Sequence, residues 1–193
     1  MRFVLLALFA GCTNTSSVGS IQLDSADGEL GVGGHAFFTL YLDGELSDDA
    51  RLVATDGSVV HVETGSAGSI VGVAPGTSDV MMIVGDDVVD VLTIGVAEVT
   101  ALHLDGIDQL VAGAPVVVGF ESMIGNQRSR GTHYYEVALD GTPYTCWGDV
   151  PRFCNGPIYY DMLHLDGLTV GEHQLAFRAV DGGRDFAFVL RAR

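Results

Sequence analysis

The sequence predicts an all-β chain of two tandem β-sandwich modules behind a short signal peptide and a polar tether. Three observations carry this expectation. Short apolar runs with a period of two residues recur from Ile21 onward, as half-buried strands do. Turn pairs such as Asp43-Gly44, Asp56-Gly57, Pro75-Gly76 and Gly85-Asp86 separate them, and these are the residues that tight reversals need. No window of helical length carries a 3.6-residue apolar period. The expected division is residues 1–11 signal, 12–17 tether, 18–97 first module and 98–193 second module.

Composition bounds the reading. A 193-residue chain that is 48% hydrophobic can build real cores, so disorder is excluded. The formal net charge is -16, and lysine is absent. The acids are dispersed, so they form a solvated acidic surface, not a tail. The charge is uneven: residues 18–98 hold 14 acids and only Arg51, net -13, whereas residues 99–193 hold 11 acids and 7 arginines, net -4. A surface this acidic repels phosphate backbones, so no nucleic-acid partner is expected.

At the N-terminus, Met1-Arg2 is a minimal positive region, Phe3 to Ala10 is an unbroken apolar run, and Gly11-Cys12 follows. The run is too short to cross a bilayer permanently, which takes about 20 apolar residues. It reads as a signal segment with small residues before the cut. Leu8-Phe9-Ala10-Gly11-Cys12 resembles a bacterial lipoprotein signal. That resemblance implies that Cys12 is acylated and becomes the new N-terminus, making the membrane a partner through an N-terminal lipid. Thr13, in the place after the cysteine, resembles the outer-membrane pattern of such proteins and points to the cell envelope. Thr13-Asn14-Thr15-Ser16-Ser17 suits a flexible tether. An ordinary signal peptide, or a misplaced start codon, with Cys12 incidental, is the competing reading.

In the first module the candidate strands are Ile21–Asp24, His35–Leu42, Arg51–Ala54, Val59–Glu63, Ser69–Val73, Asp79–Val84 and Val88–Val96. Their Val, Ile and Thr content suits a pleated surface. About seven short strands with regular turns predict a sandwich. Three stretches carry a family likeness: Leu30-Gly31-Val32-Gly33, Leu52-Val53-Ala54-Thr55-Asp56-Gly57-Ser58-Val59-Val60-His61-Val62, and Gly68-Ser69-Ile70-Val71-Gly72-Val73-Ala74-Pro75-Gly76-Thr77-Ser78-Asp79-Val80. They resemble the bacterial Ig-like group 2 domain of intimin- and invasin-type adhesins, with Leu52 where that family has Trp. The resemblance implies an immunoglobulin-like sandwich at a cell surface.

The second module follows with almost no linker at Gly95–Val99. Its candidate strands are Val99–Leu104, Pro115–Phe120, His133–Leu139, Ile158–His164, His173–Val180 and Asp185–Arg191, with Ser122–Thr132 expected as a polar loop. Tyr135-Glu136-Val137-Ala138-Leu139-Asp140-Gly141, with Cys146 beyond it, and Leu168-Thr169-Val170-Gly171-Glu172-His173-Gln174-Leu175-Ala176-Phe177-Arg178-Ala179-Val180-Asp181 resemble extracellular Ig-like and fibronectin-like repeats. Val137 stands where those repeats have their first cysteine, so their disulfide is lost. Cys146 and Cys154 remain to pair with each other. A bridge between them would contribute roughly 2–3 kcal/mol by constraining the unfolded chain, and an exported compartment permits it. The clamped loop would carry Trp147, Pro151, Arg152 and Phe153. It reads either as a stapled structural loop with Trp147 folded onto the sheet, or as a partner-binding loop in which Trp147, Arg152 and Phe153 make the contact.

No catalytic chemistry is visible. The histidines His35, His61, His103, His133, His164 and His173 fall in no H-E-x-x-H or Cys/His pattern, so no metal site and no cofactor are expected. No G-x-S-x-G elbow or phosphate-cradling loop occurs. Asp48-Asp49 and Asp86-Asp87 lie in turns without EF-hand spacing. The expectation is a non-enzymatic surface lipoprotein of adhesion, spacing or assembly, with a protein or polysaccharide of the cell surface as its partner. The alternative is a glycan-binding module of the envelope using the aromatic, disulfide-clamped loop.

Overall fold

The computed structural model describes residues 18–24, 28–64, 68–107, 110–144, 154–156, 161–165 and 167–193. The strands of the first half are β1 (Gly19–Leu23), β2 (Leu30–Gly31), β3 (Gly34–Leu42), β4 (Glu45–Leu46), β5 (Ala50–Ala54), β6 (Val60–Glu63), β7 (Ser69–Gly72), β8 (Gly76–Val84) and β9 (Asp87–Ala97). Those of the second half are β10 (Ala101–Asp105), β11 (Val116–Ile124), β12 (Gln127–Arg128), β13 (Thr132–Leu139), β14 (Thr142–Tyr144), β15 (Cys154–Gly156), β16 (Asp161–Leu165), β17 (Gly171–Ala179) and β18 (Phe186–Ala192).

The all-β expectation holds, and the pairing specifies its kind. In the first half β1, β3, β7 and β6 hydrogen-bond in that order, while β5, β8 and β9 form the facing layer with β2 parallel to β9. This is the ABED and CFG division of an immunoglobulin sandwich. The second half repeats it: β10, β11 and β16 form one layer, and β13, β17 and β18 the other, with β14 and β15 laid against β13.

Alternation explains each core. Ser78, Val80 and Met82 of β8 point inward while their neighbours do not. Val80 and Met82, with Leu30, Ala36, Leu52, Val60, Ile70, Ile94 and Val96, fill the first sandwich. Leu102 and Leu104 of β10 meet Leu175 and Phe177 of β17 and Leu190 of β18 in the second. At its centre Tyr135 packs edge-on against Phe120 and Phe177, at 6.2 and 5.9 Å between ring centroids. Its hydroxyl lies 3.0 Å from Ser122 Oγ.

The stretch 122–132 corrects the sequence reading. Instead of a polar loop, β11 runs on to Ile124, turns at Gly125-Asn126 and returns as β12. Ser122, Ser129 and Thr132 are buried. Polar residues tolerate this when their hydrogen bonds are made inside the protein. Ser122 O accepts the Ser129 amide at 2.8 Å, and Ser129 Oγ lies 2.8 Å from His133 Nε2.

The hairpin of β13 and β14 turns at Asp140-Gly141, with Asp140 at a positive φ of 49°, as a two-residue turn of Asp-Gly type permits. Asp140 Oδ1 accepts the Gln174 amide at 2.8 Å, and Oδ2 lies 2.7 Å from His173 Nδ1. His173 Nε2 faces the Thr169 carbonyl at 2.9 Å. Both ring nitrogens therefore face acceptors, which favours the imidazolium. The hydrogen bond to Asp140, then that to the Thr169 carbonyl, raises His173 above its ordinary 6.5. The His173 and Gln174 hydrogen bonds lower Asp140 below 3.8. A raised histidine stabilises the fold below its unfolded value and loses that contribution as pH rises through the folded one; a lowered carboxyl stabilises above its unfolded value and loses it on acidification. The pair therefore acts between the lowered Asp140 and raised His173 values. An NMR titration is expected to place the His173 midpoint above 6.5 and to find it back in the ordinary range in Asp140→Asn. An unchanged midpoint in the variant would rule the pairing out.

Candidate functional site

The outer face of the β14–β13–β17–β18 sheet carries a valley. Register aligns Pro143 with Ala138, Ala138 with Ala176, and Ala176 with Ala187, four strands in one row. These positions alternate with the inward Val137, Leu175, Phe177 and Phe188 that pack the core, so the short side chains face away from it. Along one flank runs the next outward pair, Glu136 and Arg178, joined at 3.5 Å. Both are well exposed, so the pair shapes the rim and adds little stability. Asp185 closes one corner, where its Oδ1 accepts the Ala179 amide at 2.9 Å. Arg184 lies over the Phe186 ring at 5.7 Å. The groove measures about 790 Å³; the alanine row and Pro143 line it together with Glu136, Arg178, Asp185, Tyr144 and Phe186. That size falls among ligand-binding clefts, as does an apolar floor with a few charged groups at the rim.

The sequence-predicted site residues stand as follows. Cys12, Cys146, Trp147, Arg152 and Phe153 lie outside the described residues. Cys154 opens β15, its backbone opposite Tyr135. Tyr144, at the edge of the groove, ends β14 and directly precedes residues 145–153 in sequence. The alanine row was missed by sequence reasoning. Its signal was present as outward alanines at Ala138, Ala176 and Ala187 beside charged residues such as Glu136, Arg178 and Arg191 on that face, but only the register brings them together.

A second polar cluster was also missed. His35 and His133, read as two of six scattered histidines, are buried where the two halves meet. His35 Nε2 lies 3.0 Å from Asp181 Oδ2, while Nδ1 lies 3.4 Å from Ser69 Oγ and 3.7 Å from Glu63 Oε2. Ser, His and Asp in hydrogen-bond succession resemble a hydrolase triad, but Ser69 is 2% exposed and also donates to Glu63 at 2.8 Å. A nucleophile must reach substrate, so this set holds structure together. His61, in contrast, is exposed on β6.

No family model matches the chain, and no curated protein matches it. Among solved structures the chain is similar to domains 5–6 of the S-layer protein SbsC, at 12% identity over 90% of this chain and 96% of that one, TM-score 0.39. It is also similar to the Yersinia pseudotuberculosis adhesin InvE, at 15% identity over 89% of this chain and 58% of that one, TM-score 0.32. A further likeness is to the N-terminal eight Ig domains of the Down Syndrome Cell Adhesion Molecule, at 13% identity over 92% of this chain and 25% of that one, TM-score 0.28.

Proposed function

We propose that this is a non-enzymatic cell-surface protein, held to the outer membrane by a lipid on Cys12, whose two Ig-like sandwiches present a partner-binding groove. The observation that carries the partner site is the four-strand row Pro143–Ala138–Ala176–Ala187, flanked on one side by the charged pair Glu136 and Arg178. Small residues aligned across a sheet leave a recess that a protruding apolar group can fill. In sequence, Tyr144 at the groove's edge directly precedes residues 145–153, which carry Trp147, Arg152 and Phe153, the residues the sequence reading singled out for partner contact. The charge contrast between the halves supports the same placement, since seven of the nine arginines lie in residues 99–193.

Two measurements test this reading. The intact mass of the protein extracted from its native membrane is expected to match residues 12–193 plus acyl groups and minus two hydrogens. An unmodified mass retaining residues 1–11 would overturn the anchor. For the groove, Ala176→Phe fills the valley from its floor without entering the core. Cells displaying the full chain are compared with cells displaying this variant for adherence to polysaccharide-coated and protein-coated surfaces. Adherence is expected to drop at least tenfold in the variant. Loss confined to the polysaccharide would select a glycan as the partner, and unchanged adherence on both surfaces would remove the groove from the function.

A further inference from the structure

The two sandwiches meet in a continuous hydrogen-bonded seam. β3 of the first pairs with β13 of the second, His35 opposite Thr132 and Gly34 opposite His133. The Arg130 amide donates to Glu29 O at 2.9 Å, and Leu30 bridges Arg130 in parallel. His35 reaches across to Asp181 and packs edge-on against Tyr134 at 5.0 Å between centroids. Backbone approach is so close that a Cβ on Gly31 would collide with the His133 imidazole and with Ser129 Oγ. One sheet therefore runs through both sandwiches, in the order β18–β17–β13–β3–β7–β6. A shared sheet of this kind leaves no free swivel between the parts.

The two histidines of the seam are placed in opposite surroundings. His35 faces a carboxylate from each side, Asp181 at 3.0 Å and Glu63 at 3.7 Å. His133 faces none: its ring stacks on Tyr135 at 6.4 Å and 22°, and its Nε2 meets Ser129 Oγ. The titratable and charged groups on the elements packed against His133 are His35 on β3, Glu29 before β2, Arg128 and Arg130 around β12, and Tyr135 on β13. The one that acts on it besides burial is the like-charged His35.

We propose that this seam is an acid-released joint, which locks the sandwiches into one rigid rod at neutral pH and frees them to move when His133 is protonated. The charge created on His133 meets Ser129 Oγ and the Tyr135 ring, and no carboxylate contacts it directly; the seam's Asp181 and Glu63 are engaged with His35. Opening brings water to the His133 charge at the cost of the seam's hydrogen bonds: those of β3 with β13, Arg130 to Glu29 O, and His35 to Asp181. The seam touches each core at one residue, Leu30 in the first and Tyr135 in the second; the other core residues pack on their own strands, so both cores are expected to stay folded while the joint opens. Burial, and secondarily His35, push His133 down from 6.5 to about 4. Opening is accordingly expected over that interval.

The test uses the full chain with genetically encoded spin-labelling residues at two positions far from the seam, Leu46 and Val170, which are 73% and 77% exposed. At pH 7.5 the inter-label distance distribution is expected to be single and narrow. Between pH 6.5 and 4 its width should at least double, reversibly, while amide protection in both cores persists. Gly31→Ala, which wedges the seam apart, should be broad already at pH 7.5. His133→Gln should abolish the acid broadening. Should that variant not fold, the broadening midpoint in the native chain must coincide with the His133 titration followed by NMR. A distribution that stays narrow until core protection is lost, or broadening that follows another group, would overturn the joint.

Discussion

Tyr135→Ala is expected to destabilise the second sandwich by about 3–5 kcal/mol, the range for deleting a large buried aromatic. Tyr135 is 2% exposed and sits where four rings converge: Phe120, Phe177, Phe186 and His133 lie 5.9 to 6.4 Å from it. Edge-to-face pairs of this kind contribute beyond their area, and a cavity among rings held on four strands cannot collapse. The hydroxyl can be separated from the ring. Tyr135→Phe keeps the packing but leaves Ser122, fully buried, without its 3.0 Å partner, at about 1–3 kcal/mol for a buried group left unsatisfied. Urea denaturation should show the midpoint of the second sandwich falling in that order, native, Phe, Ala, with its slope unchanged. Equal losses in the two variants would place the effect in the hydrogen bond; a loss under about 1 kcal/mol in the alanine variant would mean that the ring cluster does not organise this core.

The strands that sequence made legible share one physical property: one face is apolar and the other is not. Tyr135, Val137 and Leu139 announce β13 this way, and Leu102 and Leu104 announce β10. The elements that escaped are those whose reason for existing lies in a partner strand. β2 is two residues long and pairs in parallel with β9, and β12 is the short return of a hairpin; neither is long enough to show a period. The segment around Ser129 looked like loop because it is polar, yet its polar groups are satisfied by one another and by His133. Polarity predicts exposure only while the hydrogen bonds go to water. The groove failed to register for the opposite reason. Alanine on an outward strand position is unremarkable until register sets three of them in line across β13, β17 and β18.

Leu30→Ala is expected to cost about 2–5 kcal/mol, and its partner across the seam shows why the loss reaches both sandwiches. Leu30 is fully buried in the first core, yet it also bridges Arg130 of the second half. Gly131 next to that bridge has φ +86°, and a Cβ there would stand 2.6 Å from Leu30 Cδ1 and 2.9 Å from His35 O. Gly131→Ala must therefore strain the backbone and push into Leu30 at once. In the double variant the space vacated by Leu30 receives the new methyl, while the backbone strain and the His35 carbonyl contact remain. The two changes should then be less than additive, with a coupling of about 0.5–3 kcal/mol, the size seen for residues in contact. Chemical denaturation of the four proteins of this cycle measures it. Residues 30 and 131 belong to different sandwiches, so a coupling within that range requires the seam to be intact in the folded state. Strict additivity would mean that the sandwiches fold without regard to one another and that the contact between Leu30 and Gly131 contributes nothing to either.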